Sequence, residues 1–148
     1  MKEITIQIED KTYNVQVVES EDEKVQGLSN TEELPLDGML FDYSSDPQSE
    51  LTFNTIGMNY PIDIIFINSN YEVTAVELGE PKSDEIIECI ADADESIIYV
   101  LETNANSGIK VGDEFEIEDE DVDDEEVNKM YIIGSDGNPQ FELIGGER

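Results

Sequence analysis

The sequence predicts a mainly β fold: a small barrel-like β domain with one short α-helix, followed by an acidic linker and a C-terminal β-hairpin. Three observations carry this. Apolar and polar residues alternate near the start, at Ile4, Ile6, Ile8 and again at Tyr13, Val15, Val17, the period-2 pattern of half-buried strands. Two runs, residues 62–67 and 97–101, are almost wholly apolar and rich in isoleucine, as expected for strands covered on both faces. A helix-start signature occurs at Ser20, whose hydroxyl can cap a helix while Glu23, three residues on, closes a capping box. The boundaries that follow are a barrel-like domain over residues 1–117, a linker over 118–128 and a hairpin extension over 129–148.

The elements follow in order. Glu9-Asp10-Lys11 turns the opening hairpin. The helix spans about residues 20–26. Acids in its first turn suit the positive end of the helix dipole, Gly27 ends it, and Val25 and Leu28 are its expected buried contacts. Residues 34–38 form a turn, 39–41 a buried strand and 43–49 a polar loop. Phe53 lies on the next strand, Gly57-Met58-Asn59 turns the chain, and Pro61 opens the strand after it, where a missing N–H matters least. Residues 71–78 pair with that strand. Residues 85–90 are read as extended and 97–101 as a central strand. A Gly-Asp turn at Gly112-Asp113 leads to a short strand at Phe115 and Ile117. The run EDEDVDDEE then contains a single apolar residue, too little to offset the entropy of ordering. The hairpin beyond it is marginal alone, and is expected to dock on the domain or on a partner.

Charge bounds the function. The chain has 148 residues, 38 Asp+Glu against 7 Lys+Arg, and a formal net charge of -31. Such a surface repels phosphate backbones and anionic membranes, so neither nucleic acid nor membrane is an expected partner. A basic protein is. The acidity reads first as a solvating surface and then as a contact for that partner; DNA mimicry is a further reading without positional support. Adaptation to high salt is weakened by the many Ile and Asn and the scarcity of Arg. With one cysteine, Cys89, and no histidine, Ser-His and Cys-His catalysis are excluded, and no cofactor or metal is expected. Asp119, Asp121 and Asp123 superficially resemble a calcium loop, but Asp124 occupies the position that needs Gly and Met130 the one that needs Glu. No signal-peptide core or membrane-length apolar run is present, so a cytoplasmic protein is expected, or a virion component if the origin is viral.

The candidate chemistry centres on Asp63, a carboxylate inside the apolar strand. It is either a group with a raised pKa at a functional site or an acceptor for backbone N–H groups of the Gly57-Met58-Asn59 turn, pinning a hairpin. Asn54, Thr55 and Asn59 flank that turn and, with Asp63 and Glu102, are the candidate lining of a small polar pocket. Alternatively they satisfy turn backbone groups, and Glu102 faces water.

Three blocks, Gly38-Met39-Leu40-Phe41, residues 55–66 (TIGMNYPIDIIF), and residues 99–102 followed by 108–113 (GIKVGD), appear in this order after the Glu23-x-x-x-Gly27-Leu28 pattern. In this the chain resembles the prokaryotic family catalogued as domain of unknown function 192, over about residues 15–117. The resemblance implies a compact, mostly β, barrel-like domain with one short helix and no established activity. The chain departs from the family pattern at Asn54, where relatives often carry His or an aromatic residue, and in a short 103–107 segment. Its acidic tail lies outside the family domain, in the manner of phage-encoded relatives.

The functional expectation is a non-enzymatic accessory or interaction module, in a viral particle or another assembly. Its acidic surface and extension would bind a basic protein through Asp119, Asp121, Asp123, Asp124, Glu125, Glu126, Tyr131 and Phe141. The alternatives are a small-molecule-binding protein or hydrolase using Asp63, and a DNA-mimic inhibitor.

Overall fold

The structure, a computed structural model, describes residues 2–118. The predicted hairpin, nearly all of the linker, and the eight predicted partner-binding residues lie outside the described residues. Glu118, the first linker position, still donates its N–H to Thr5 O at 3.0 Å.

Among the described residues the chain forms nine strands and one helix: β1 Lys2–Ile8, β2 Lys11–Val18, α1 Glu21–Gln26, β3 Met39–Asp42, β4 Glu50–Thr55, β5 Ile62–Asn68, β6 Val73–Gly79, β7 Ser83–Ile90, β8 Ile97–Asn104 and β9 Phe115–Ile117. This is the mainly β, barrel-like fold that the sequence predicts. Seven strands form one sheet in the order β6-β5-β8-β3-β2-β1-β9, and β4 pairs with β7 in a second, two-stranded sheet. All pairings in the large sheet are antiparallel except β2 with β3. A parallel neighbour needs a long crossover, and the segment carrying α1 supplies it.

The large sheet curls until its two edges touch at one end. Phe115 donates to Tyr71 O, Val73 to Asp113 O and Gly112 to Val73 O, each at 2.9 Å. Tyr71, Tyr99 and Phe115 pack their rings together at this seam, Tyr99 and Phe115 with centroids 5.1 Å apart. The concave face holds one core, including Ile6, Val15, Leu40, Ile65, Ile67, Leu101 and Phe115. The opposite face of β3, β8 and β5 holds a second, including Met39, Phe41, Ile62, Ile64, Phe66 and Val100. Leu28, which follows α1, Met58 from the 57–59 turn, and Phe53 and Ile87 from the small sheet pack against this second core. Every residue of β5 is therefore buried.

Helix α1 forms as its sequence dictates. Ser20 Oγ accepts from Glu23 N at 3.2 Å, and the Glu23 side chain accepts from the Ser20 backbone, completing the capping box. Two expectations are corrected here. Val25 is 83% exposed rather than buried. The face turned to the sheet runs through Lys24 and Leu28, at helical i, i+4 spacing, and Val25 lies off that face. The 57–59 turn is also not the tip of a hairpin. β4 leaves the large sheet to pair with β7, whereas β5 pairs with β6 and β8. Among the described residues, no helix is long and apolar enough to cross a membrane.

Gly38 enters β3 with φ 146, and a Cβ there would run into the backbone carbonyl oxygen of Glu102 on β8, with Thr103 Cβ at 3.3 Å. Gly38→Ala is expected to cost about 3 kcal/mol, from backbone strain and overpacking together. Urea denaturation measures it, and a loss below about 0.5 kcal/mol would contradict the close approach.

Candidate functional site

Strand alternation sorts the two candidate carboxylates onto different faces. In the β5–β8 register Asp63 stands opposite Thr103, and Ile64 opposite Glu102. Directly opposed residues of an antiparallel pair share a face, and neighbours along a strand do not. Asp63 thus lies on the concave side and Glu102 on the side covered by α1. The two cannot act together as an acid–base pair.

Asp63 is buried but satisfied. Its Oδ2 accepts from Ser107 N at 3.0 Å and from Ser107 Oγ at 2.7 Å. The predicted partner, the Gly57-Met58-Asn59 turn, is corrected to the 104–109 loop, because β5 runs beside β8 and the chain leaving β8 passes the start of β5. Asn59 is occupied elsewhere: its Nδ2 donates to Thr31 O at 2.7 Å, and Lys82 Nζ donates to its Oδ1. Thr55 Oγ1 donates to Glu80 O, and Asn54 Oδ1 accepts from Ile56 N at 3.1 Å.

Glu102 differs from all of these. It is 6% exposed, so the expectation that it faces water is corrected. It shares its face with Met39 and Ile64, its directly opposed neighbours on β3 and β5. Burial alone pushes its carboxyl up to about 8, with no compensating donor or cation among the described residues. Apolar surroundings penalise the ionised form, so near neutrality Glu102 is mostly a neutral acid with a proton to donate.

A cleft leads to it. An inner space of about 50 Å³ is lined by Leu28, Phe41, Phe53, Met58, Ile62 and Glu102, among others. An outer space of about 290 Å³ is lined by Glu21, Lys24, Val25, Ser29, Tyr43, Thr52, Phe53 and Asn54. Lys24, Val25, Ser29, Phe53 and Asn54 border both, so the two adjoin. Of the predicted pocket residues Asn54, Thr55 and Glu102 line the cleft, and Asn59 and Asp63 do not. At the mouth Lys24 Nζ sits 4.1 Å from the centroid of the Tyr43 ring. Burial, then the charges of Glu21 and Glu102, push the Tyr43 hydroxyl up to about 12.

A larger groove of about 770 Å³ runs between the β1–β2 turn and residues 108–116. Several of its polar groups are already committed: Glu114 N donates to Glu9 Oε2 at 2.8 Å, Lys110 N to Asp113 Oδ2 at 3.0 Å, and Lys11 Nζ to Ser107 O at 3.0 Å. It contains no buried group in need of a partner, and the cleft under α1 does.

The family model DUF192, described as "Uncharacterized ACR, COG1430", matches residues 3–117. The chain belongs to this family. The match takes in β1 and ends with β9, so the whole sheet is the DUF192 domain and residues 118–148 lie beyond it. Two solved structures share the fold. One, from Sinorhizobium meliloti 1021 and provisionally assigned as a transcription regulator, has 25% identity and a TM-score of 0.67, covering 78% of this chain and 94% of that one. The other, a protein of unknown function from Novosphingobium aromaticivorans DSM 12444, has 24% identity and a TM-score of 0.66, covering 77% and 84%. No curated protein matches the chain. Within the DUF192 domain, two of the family-pattern glycines frame the cleft. Gly38 lets β3 close on Glu102, and a Cβ at Gly57 would meet Ser29 Oγ at 2.8 Å, where the 57–59 turn packs on the loop after α1.

Lys24, Ser29, Tyr43 and Phe53 were not anticipated as site residues. No local pattern marks them, since the crossover and the small sheet bring them together.

The burial of Glu102 has a stability consequence. The folded chain holds this proton up to about pH 8, while the unfolded chain releases it near the ordinary carboxylate value of 4.5. Between those limits the folded state binds the extra proton, so its stability is fully present at the acid end and is lost as pH rises. Glu102→Gln removes this. The difference in unfolding free energy between Glu102→Gln and the wild type should grow in the variant's favour by about 1.4 kcal/mol per pH unit between pH 5 and 8. Parallel stability–pH curves would show Glu102 to be solvated.

Proposed function

We propose that the domain is a small-molecule-binding module whose site is the cleft beneath α1, with Glu102 as its polar anchor. One observation carries this reading. A nearly fully buried carboxylate without a partner among the described residues stands in the lining of a cleft that mixes apolar side chains with Lys24, Ser29, Asn54 and Thr55. Buried polar groups are normally satisfied within the fold, and an exception at a cavity wall is a place for a ligand to supply the missing bond. The hydrolase form of this reading is not retained, because Asp63 bonds Ser107 on the other side of the sheet.

A fragment mixture containing acids, amines and neutral polar compounds, followed by amide chemical shifts, tests the module. Shifts confined to the neighbourhood of Ser29, Asn54 and Met58, and weakened in Glu102→Leu, are expected. Perturbations scattered over the surface, or none, would remove the reading.

The charge distribution favours a second, independent reading: an accessory protein that binds a basic partner in a larger assembly, a phage particle among the candidates. Its support is that the described residues contain one ion pair, Lys2–Glu19 at 3.5 Å and exposed, in a chain of net charge -31. The carboxylates are therefore left to act outward, drawing cationic surfaces in a salt-dependent way. Full-length chains with Asp119, Asp121, Asp123, Asp124, Glu125 and Glu126 either intact or replaced by their amides should differ in the basic proteins they retain at low salt. The same retained set for both would sink the role given to the acidic tail.

A further inference from the structure

The cleft carries information about the chemistry of its ligand. Two ionisable groups border its inner space, Glu102 and Lys24, and the Lys24 ammonium is turned to the Tyr43 ring. Its walls and mouth present the aromatic rings of Phe41, Phe53 and Tyr43, and ring faces attract cations. An ammonium group already occupies the Tyr43 face, that of Lys24 at 4.1 Å. The chain around the cleft is strongly acidic, with a net charge of -31, which concentrates cations and depletes anions near the surface. The space of about 50 Å³ beside Glu102 admits a small polar head group. A primary ammonium can donate N–H bonds to the carboxylate there, which a quaternary group cannot. Beyond it the outer space offers an apolar wall in Phe53 and in Val25, whose side chain is otherwise exposed to water.

Resting on the reading of the cleft as a ligand site, we propose that it binds a primary organic ammonium ion, head group against Glu102 and apolar body between Val25 and Phe53. The ligand arrives as the ammonium. Glu102 gives up its proton to solvent, and the resulting carboxylate pairs with the ligand without any bond to it being made. The other titratable groups facing this space are Glu21 and Lys24 from α1 and Tyr43 after β3. The linings from β3, β4, β5 and the 57–59 turn bring Phe41, Phe53, Asn54, Thr55, Ile62 and Met58, none of which titrates. Tyr43 ionises only near pH 12, so Glu102 governs the response between pH 6 and 8. Because one proton must leave, affinity should rise about tenfold per pH unit below the Glu102 midpoint. Lys24 competes as a fixed cation at the mouth.

Calorimetry of the full-length chain with n-butylammonium, in two buffers of different ionisation enthalpy at pH 6, 7 and 8, tests this. Pentanoate, n-butanol and tetramethylammonium serve as comparators. The expected result is binding of n-butylammonium over all three, tightening about tenfold per pH unit with close to one proton released. Glu102→Gln should weaken it at least about tenfold and remove the pH dependence, and Lys24→Gln should strengthen it. If pentanoate or butanol binds instead, the ammonium assignment falls and the binding module stands. If tetramethylammonium binds as well as n-butylammonium, the effect is general attraction to an acidic chain and the proposal falls. If no probe binds at millimolar concentration, the proposal and the binding module fall together. Should Glu102→Gln not fold, the proton release and the Lys24→Gln arm still decide.

Discussion

The constraint that organises this domain is that β3, β8 and β5 are covered on both faces. The curled sheet buries its concave side among its own strands. A sheet that stops there would leave Met39, Phe41, Ile64, Phe66 and Val100 in water. The remaining elements act as a second layer over these residues. The β2–β3 crossover carries α1 and Leu28 across the sheet, and β4 and β7 pair with each other rather than with the main sheet, bringing Phe53 and Ile87 down onto it. Phe53 shows how tightly the layers engage, with its ring centroid 5.8 Å from both Phe41 and Phe66 in edge-on arrangements. Burying a large apolar side chain contributes about 1.5–3 kcal/mol, so the second layer is a substantial part of the domain's stability. It is also the roof of the cleft.

Two carboxylates on adjacent strands of this slab meet opposite fates. Asp63 is within reach of the chain leaving β8, and Ser107 supplies both a backbone and a hydroxyl donor. A buried acceptor so bonded costs little and holds the 104–109 loop to β5. Glu102 is one register position away and on the other face. There it meets side chains of Met39, Ile64 and the second layer, none of which donates. Keeping its proton spares it the cost of a buried charge. Neighbourhood, not residue type, separates a hydrogen-bonded carboxylate from one left without a partner among the described residues.

Much of the fold was legible because local patterns state it directly. The alternation of Ile4, Ile6 and Ile8 gives a strand with one wet face, and Ser20 with Glu23 gives the helix start. The order of three blocks gives the family. The site was less legible, for a physical reason. Where both faces of a strand are buried, period-2 patterning vanishes, so IIYVLETN does not say which side Glu102 takes or that it is buried at all. The pairing of β4 with β7 is equally silent in sequence, since the Gly57-Met58-Asn59 turn between two strands reads as a hairpin. That misreading also placed Asp63 against the turn. Asn54, Thr55 and Glu102 could be singled out from their strand positions, whereas Lys24 and Ser29 reach the cleft through the crossover and Tyr43 from the loop after β3.

The acidic surface and the cleft then bear on each other at different ranges. At physiological ionic strength exposed charges are screened over about 8 Å, so the many carboxylates of the surface set the local abundance of cations rather than the energy inside the cleft. Within the cleft the relevant charges are few: Glu102 at the floor, Glu21 and Lys24 at the mouth. With Glu102 protonated, the Glu21 and Lys24 charges offset each other, and the cleft is a near-neutral recess in a negative surface. With Glu102 ionised it carries one net negative charge, in low dielectric, where a cation gains most from it. The same burial that keeps Glu102 neutral therefore makes its charged form the stronger partner once a cation enters, and the roof laid down to cover β3, β8 and β5 is what holds Glu102 out of bulk water.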